Sequence, residues 1–87
     1  METPAVDKKT VAAIEWRFPG TRAVLQRELT ESESFRGLCR DYLACQTALA
    51  RWQETDSDEG RLRSKEYSEL LAELTEEIET RLHALET

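Results

Sequence analysis

Between residues 34 and 52 the chain places apolar or aromatic side chains at Phe35, Leu38, Tyr42, Cys45, Leu49 and Trp52, in alternating steps of three and four. That spacing keeps one face of an α-helix apolar and predicts a helix over 33–54. Its opposite side carries Arg36, Arg40, Gln46, Thr47, Arg51 and Gln53. A second stripe, Tyr67, Leu70, Leu71, Leu74, Ile78, Leu82 and Leu85, predicts another long helix after the loop ETDSDEG at 54–60. Two long helices joined by a short loop lie antiparallel. The expectation is a long hairpin in which Phe35 meets Leu82 and Leu85, while Leu49 and Trp52 lie near Tyr67.

Ahead of the hairpin the pattern is shorter and more interrupted. Residues 5–17, with Val6, Val11, Ile14 and Trp16, read as a short amphipathic helix. It breaks at FPG, 18–20, because the residue before a proline is pushed out of the α region. Pro19 is expected to open a second helix over 19–30, with Val24, Leu25 and Leu29 on one face. TESES at 30–34 supplies capping residues: Thr30 with Glu33 fits a capping box, and Ser32 and Ser34 compete as N-caps. The fold class is therefore all-α: two short N-terminal helices, then an antiparallel hairpin, as one domain over 1–87. Segment 1–17 is an N-terminal extension to the unit 18–87.

Composition narrows the function classes. The 87 residues suffice for one small domain with a marginal core, of a size that often gains stability from tight helix packing or oligomerisation. A charged fraction of 34% and a mean hydropathy of −0.64 require a broad solvated surface. The net charge of −6 opposes nucleic-acid binding, which neutralises phosphates with Lys and Arg, and opposes attraction to anionic lipid. No run approaches the ~20 apolar residues of a spanning helix. METPAVDKKTVAAIEW lacks an apolar stretch behind a basic start, so no signal peptide is expected and the cytoplasm is the expected location. Cys39 and Cys45 stand six residues apart on one helix, about 9 Å along its axis, too far for a mutual disulfide. Two reduced, partly buried thiols are expected.

Phe18–Pro19, Arg22, Val24–Leu25, Phe35, Leu38, Tyr42 and Leu49 together resemble the YdcH-like family of small bacterial proteins. The likeness runs ungapped from Phe18 to about Trp52. It implies an FP-led helix followed by a helical hairpin. The chain departs from that pattern in its 17-residue extension, in Trp52, in its longer acidic loop and in its acidic last helix. The resemblance implies no catalytic residue.

Counting an EF-hand loop from Asp56 puts glycine at position 5 and Tyr67 at position 12, where glycine at 6 and glutamate at 12 are needed. Glu73, Glu76 and Glu77 lie off the apolar stripe, and Thr80 precedes His83 where a bundle di-metal site has glutamate. Cys39 with His83 is the sole Cys–His pairing on offer, with no third group to orient the imidazole. No catalytic, metal or cofactor residue is expected.

What remains is surface. Leu43 and Ala50, seven apart and off the seam, form a second weak apolar stripe with Ala44 and Ala48 beside it. Either the N-terminal helices or another chain covers it. Trp16, Leu43, Ala50 and Trp52 are the candidate contact residues of a non-catalytic interaction module, adaptor or regulatory subunit, that self-associates as a homodimer or binds another protein. The alternative is a small enzyme or ligand carrier using a pocket between helices, recognisable by convergent polar groups in a concave site.

Overall fold

The computed structural model describes residues 8–86, the side chain of Glu86 excepted; Val6, expected in the first helix, lies outside them. Within that range four helices follow one another: α1 Lys8–Arg17, α2 Arg22–Glu31, α3 Glu33–Glu54 and α4 Asp58–Glu86. No strand occurs among the described residues.

Local chemistry explains the joints. α1 ends at Arg17, ahead of Phe18–Pro19. Gly20 then adopts φ +83, a left-handed conformation that costs glycine little. Pro19 is thus a turn residue, contrary to its expected place as first residue of α2; Thr21 flanks the helix and Arg22 opens it. The Thr21 hydroxyl donates to the Phe18 carbonyl at 2.6 Å and ties the turn. The α2–α3 corner is a single residue, Ser32. Its N–H bonds the Glu28 carbonyl to close α2, and its Oγ accepts the Phe35 N–H at 3.1 Å to open α3. The Thr30–Glu33 capping box is not used: the Thr30 hydroxyl turns back to the Gln26 carbonyl. Arg36, expected on a solvated face, donates to the Leu29 and Thr30 carbonyls at 2.9 and 3.1 Å and so completes the end of α2.

The loop before α4 is shorter than expected, residues 55–57. Ser57 Oγ accepts the Gly60 N–H at 2.9 Å, an N-cap that draws Asp58, Glu59 and Gly60 into the helix. Asp58 and Glu59 in this first turn suit the positive end of the helix dipole.

α3 packs more extensively on α4 than on any other element. Their contacts run in opposite order along the two helices. Cys45 Sγ lies 3.3 Å from the Tyr67 carbonyl. Arg81 sits 5.5 Å from the centre of the Phe35 ring and reaches Ser34 Oγ at 3.3 Å. Phe35 and Leu82 share the core, but Tyr67 stands level with Cys45. Trp52 is seven residues, about 10 Å, further along α3, so the expected Trp52–Tyr67 pairing is displaced by two turns.

The core is concentrated at one end. Val11 and Ile14 of α1, Leu25 and Leu29 of α2, Phe35, Leu38, Cys39 and Tyr42 of α3, and Ile78 and Leu82 of α4 are buried together. Phe35, Ile14, Leu25, Ile78 and Cys39 are sealed from water. Beyond Tyr42 and before Leu71 only α3 and α4 continue. Cys45 is buried there, but Leu49, Trp52, Tyr67 and Leu71 are half-exposed although they lie on the stripes that should face one another.

Candidate functional site

The C-terminal half of α3 is built from good helix formers, with Ala44, Ala48, Ala50, Gln46 and Arg51 among them. Ala44, Thr47, Ala48, Arg51, Trp52 and Thr55 recur at three- and four-residue intervals and line one open groove of about 610 Å³. All six belong to α3 or its C-cap, so the groove is one face of a single helix, meeting the seam at Trp52. Thr47 and Thr55 donate their hydroxyls to the Leu43 and Arg51 carbonyls, both at 3.1 Å, so these polar groups are satisfied within the helix. Trp52 is the large apolar side chain of the face and is half-buried.

Of the charges on this half of α3, Arg51 lines the groove. Arg40, Asp41, Arg51 and Glu54 are all exposed. Side-chain ion pairs join Arg22 to Glu15, Arg27 to Glu28, Arg61 to Asp56 and Asp58, and Arg63 to Glu59 and Glu66, away from this half of α3.

The expected contact residues do not form one surface. Leu43 is half-buried against the chain's own core, so a polar residue there would disturb the fold before it disturbed a partner. Ala50 is exposed on the same side of α3 as Leu43. Trp52 is nine residues from Leu43, about 180° around the helix. Trp16 is 87% exposed on the side of α1 away from the buried Val11 and Ile14. Leu62 and Leu70 of α4 are also exposed, at 56% and 42%. The distinction between Leu43 and Trp52 was available from their helical phase alone.

Two further clefts are smaller. One of about 440 Å³ lies beside Leu49 and Leu71, with Arg17, Glu76 and Glu79 among its lining residues. Another of about 460 Å³ lies between α1 and α2, from Lys8, Val11 and Ala12 to Arg22 and Gln26. Among the described residues no group of three or more His, Cys, Asp or Glu side chains is placed to hold a metal ion.

Both cysteines are free and buried. Burial pushes the Cys39 thiol up to about 11, against a smaller opposing pull from the Arg81 guanidinium. Burial likewise raises Cys45. A nucleophilic cysteine needs the reverse, a stabilised thiolate. His83, the possible base, is exposed and lines a cleft with Arg17, Phe18 and Glu79. Tyr42 is raised by burial, with Arg17 opposing, and its hydroxyl accepts from Gln46 at 3.0 Å.

No described helix is long and apolar enough to cross a membrane. Comparison with protein-family models, with curated proteins and with solved structures finds no match.

Proposed function

We propose that the chain is a small, non-catalytic protein–protein interaction module, an adaptor or regulatory subunit, that self-associates through the outer face of α3. In this reading α3 and α4 form an antiparallel hairpin clasped at one end by two short helices. One observation carries it: past the core, half-exposed Trp52 lines an open groove of about 610 Å³ with Ala44, Thr47, Ala48, Arg51 and Thr55, all on α3 or its C-cap, and no other described helix lines it. Apolar surface in that arrangement is stabilised by a further helix laid across it. The module is assigned to the cytoplasm, where its two free thiols stay reduced. Kinship with the YdcH-like family belongs to the same proposal, on the strength of Phe18–Pro19, Arg22, Val24–Leu25 and the Phe35, Leu38, Tyr42 and Leu49 seam.

The test is light scattering of the full chain across micromolar concentrations. Twice the 10.0 kDa chain mass is expected. In a Trp16→Phe background Trp52 is the remaining tryptophan, and its emission should move to the blue as concentration rises. A single-chain mass throughout, with Trp52 emission constant, overturns self-association.

A further inference from the structure

The outward face of α4 carries charge of one sign and two leucines that the core does not use. At roughly 100° per residue, Leu62, Glu66, Glu69, Leu70, Glu73 and Glu77 fall within one arc of about 100°, turned away from the buried Ile78 and Leu82. All six are exposed, and no basic residue lies within the arc. At its edge Arg63 pairs with Glu66 and Glu59. Among the described residues no basic side chain pairs with Glu69, Glu73 or Glu77. Arg81, one turn beyond Glu77, is held instead against Phe35 and Ser34.

We propose that this face of α4 binds a basic amphipathic helix of another protein, its lysines and arginines meeting the carboxylates and its apolar residues meeting Leu62 and Leu70. The proposal deepens the interaction-module reading above by naming a partner chemistry, and it is independent of self-association through α3.

Two observations separate the face from an ordinary solvated one. Glu66, Glu69, Glu73 and Glu77 follow at three- and four-residue intervals, so each carboxylate stands beside another of the same sign. That order destabilises a helix, where lysine at alternate places would stabilise it, and cations brought from outside relieve it. Leu62 and Leu70 are two of the three large apolar side chains that the described residues leave exposed, and both fall on this arc. They stand eight residues apart, about 12 Å, or a little over two turns of a facing helix. Charge attracts and orients such a partner, while the leucines give it apolar surface to bury.

A second copy of the chain is a poorer occupant. It brings the same net charge of −6. Its Arg22, Arg27, Arg61 and Arg63 are already ion-paired, and Arg36 is engaged by the carbonyls that end α2.

The probe is a helical peptide of about 18 residues with a leucine stripe flanked by lysines, compared with its glutamate-for-lysine counterpart. With the full chain at about 0.15 M salt, the lysine peptide is expected to bind at least ~tenfold tighter, shifting the amides of Leu62, Leu70 and Glu73. The double variant E69K/E73K should weaken it by at least ~tenfold, and L62S/L70S by at least ~threefold. E31K/E54K makes the same change in net charge at exposed positions on other helices and should stay within about twofold of the parent. Circular dichroism reports whether each variant keeps its helices. Equal weakening by E31K/E54K would reduce the effect to overall charge and overturn the site. So would an unchanged affinity in L62S/L70S, which leaves only a solvated acidic face, or amide shifts confined to the α3 groove. A chain that dimerises yet binds both peptides alike overturns this site and leaves self-association standing. A monomeric chain that selects the lysine peptide does the reverse.

Discussion

Gly60 and Gly37 both lie inside helices, yet the same substitution should act on them with opposite signs. A Cβ on Gly60 would collide with the Thr55 backbone carbonyl, which accepts the Ser57 N–H at 3.0 Å, whereas a Cβ on Gly37 meets nothing within 4 Å. Gly60→Ala is therefore expected to cost about 1–3 kcal/mol through overpacking. Gly37→Ala should gain about 0.5–1 kcal/mol from reduced freedom of the unfolded chain. Urea midpoints of the two variants check this, and a Gly60→Ala protein as stable as the parent contradicts the close approach. Cys39 gives a second expectation. Its thiol titrates near 9 when unfolded and near 11 in the fold. The folded value is raised, so its contribution is complete below pH 9 and is lost as pH climbs from 9 through 11. Stability should fall by up to about 2–3 kcal/mol over that window. In Cys39→Ala the alkaline loss should shrink, although Cys45 and Tyr42, raised in the same direction, leave a remainder. Denaturant midpoints at pH 8 and pH 11, parent against variant, measure the difference.

At the scale of elements, the division between a layered end and a bare end governs local stability. Leu38, Cys39, Tyr42, Ile78 and Leu82 are locked among four helices, while residues beyond Cys45 on α3 and before Leu71 on α4 rely on each other. Opening the bare end exposes little buried apolar area, so it should cost less than global unfolding. Amides of Leu38–Tyr42 and Ile78–Leu82 are expected to exchange only by global unfolding, and those of Ala48–Trp52 and Leu62–Tyr67 at least ~tenfold faster in dilute protein. Uniform protection along α3 would contradict that division. The same particulars explain what periodicity could and could not convey. The bounds of α3 were legible because its apolar spacing and serine cap agree over 33–54. The level of α3 against α4 was not, since periodicity specifies a face and leaves the axial position to packing. The start of α2 was missed because Gly20 lets the turn run past Pro19. Trp52 was legible as a surface tryptophan, but treating it with Leu43 ignored the half-turn that divides them.

For the whole molecule, 45 × 30 × 20 Å in extent, the proposed self-association has to bring together two chains of charge −6. Two such charges with centres ~25 Å apart repel by about 6 kcal/mol in water before screening. At ~0.01 M salt the Debye length is ~30 Å, and a little under half of that repulsion survives; at ~0.15 M it is ~8 Å, and about a twentieth survives. Salt should therefore relieve roughly 2 kcal/mol of repulsion. It also weakens any exposed ion pairs between the two chains, but such pairs are worth about 0–1 kcal/mol each and act at contact distance, where screening removes only part. Relief of repulsion exceeds that loss. The dimer is expected to tighten by roughly tenfold between these two salt concentrations. Once long-range repulsion is gone, further salt should loosen it slightly as the contact pairs weaken. Sedimentation at low, ordinary and high salt checks the turnover. A dimer that weakens steadily from the lowest salt upward would mean that opposite charges of the two chains, such as the acidic α4 and a basic patch, govern the association in place of apolar burial at the α3 groove.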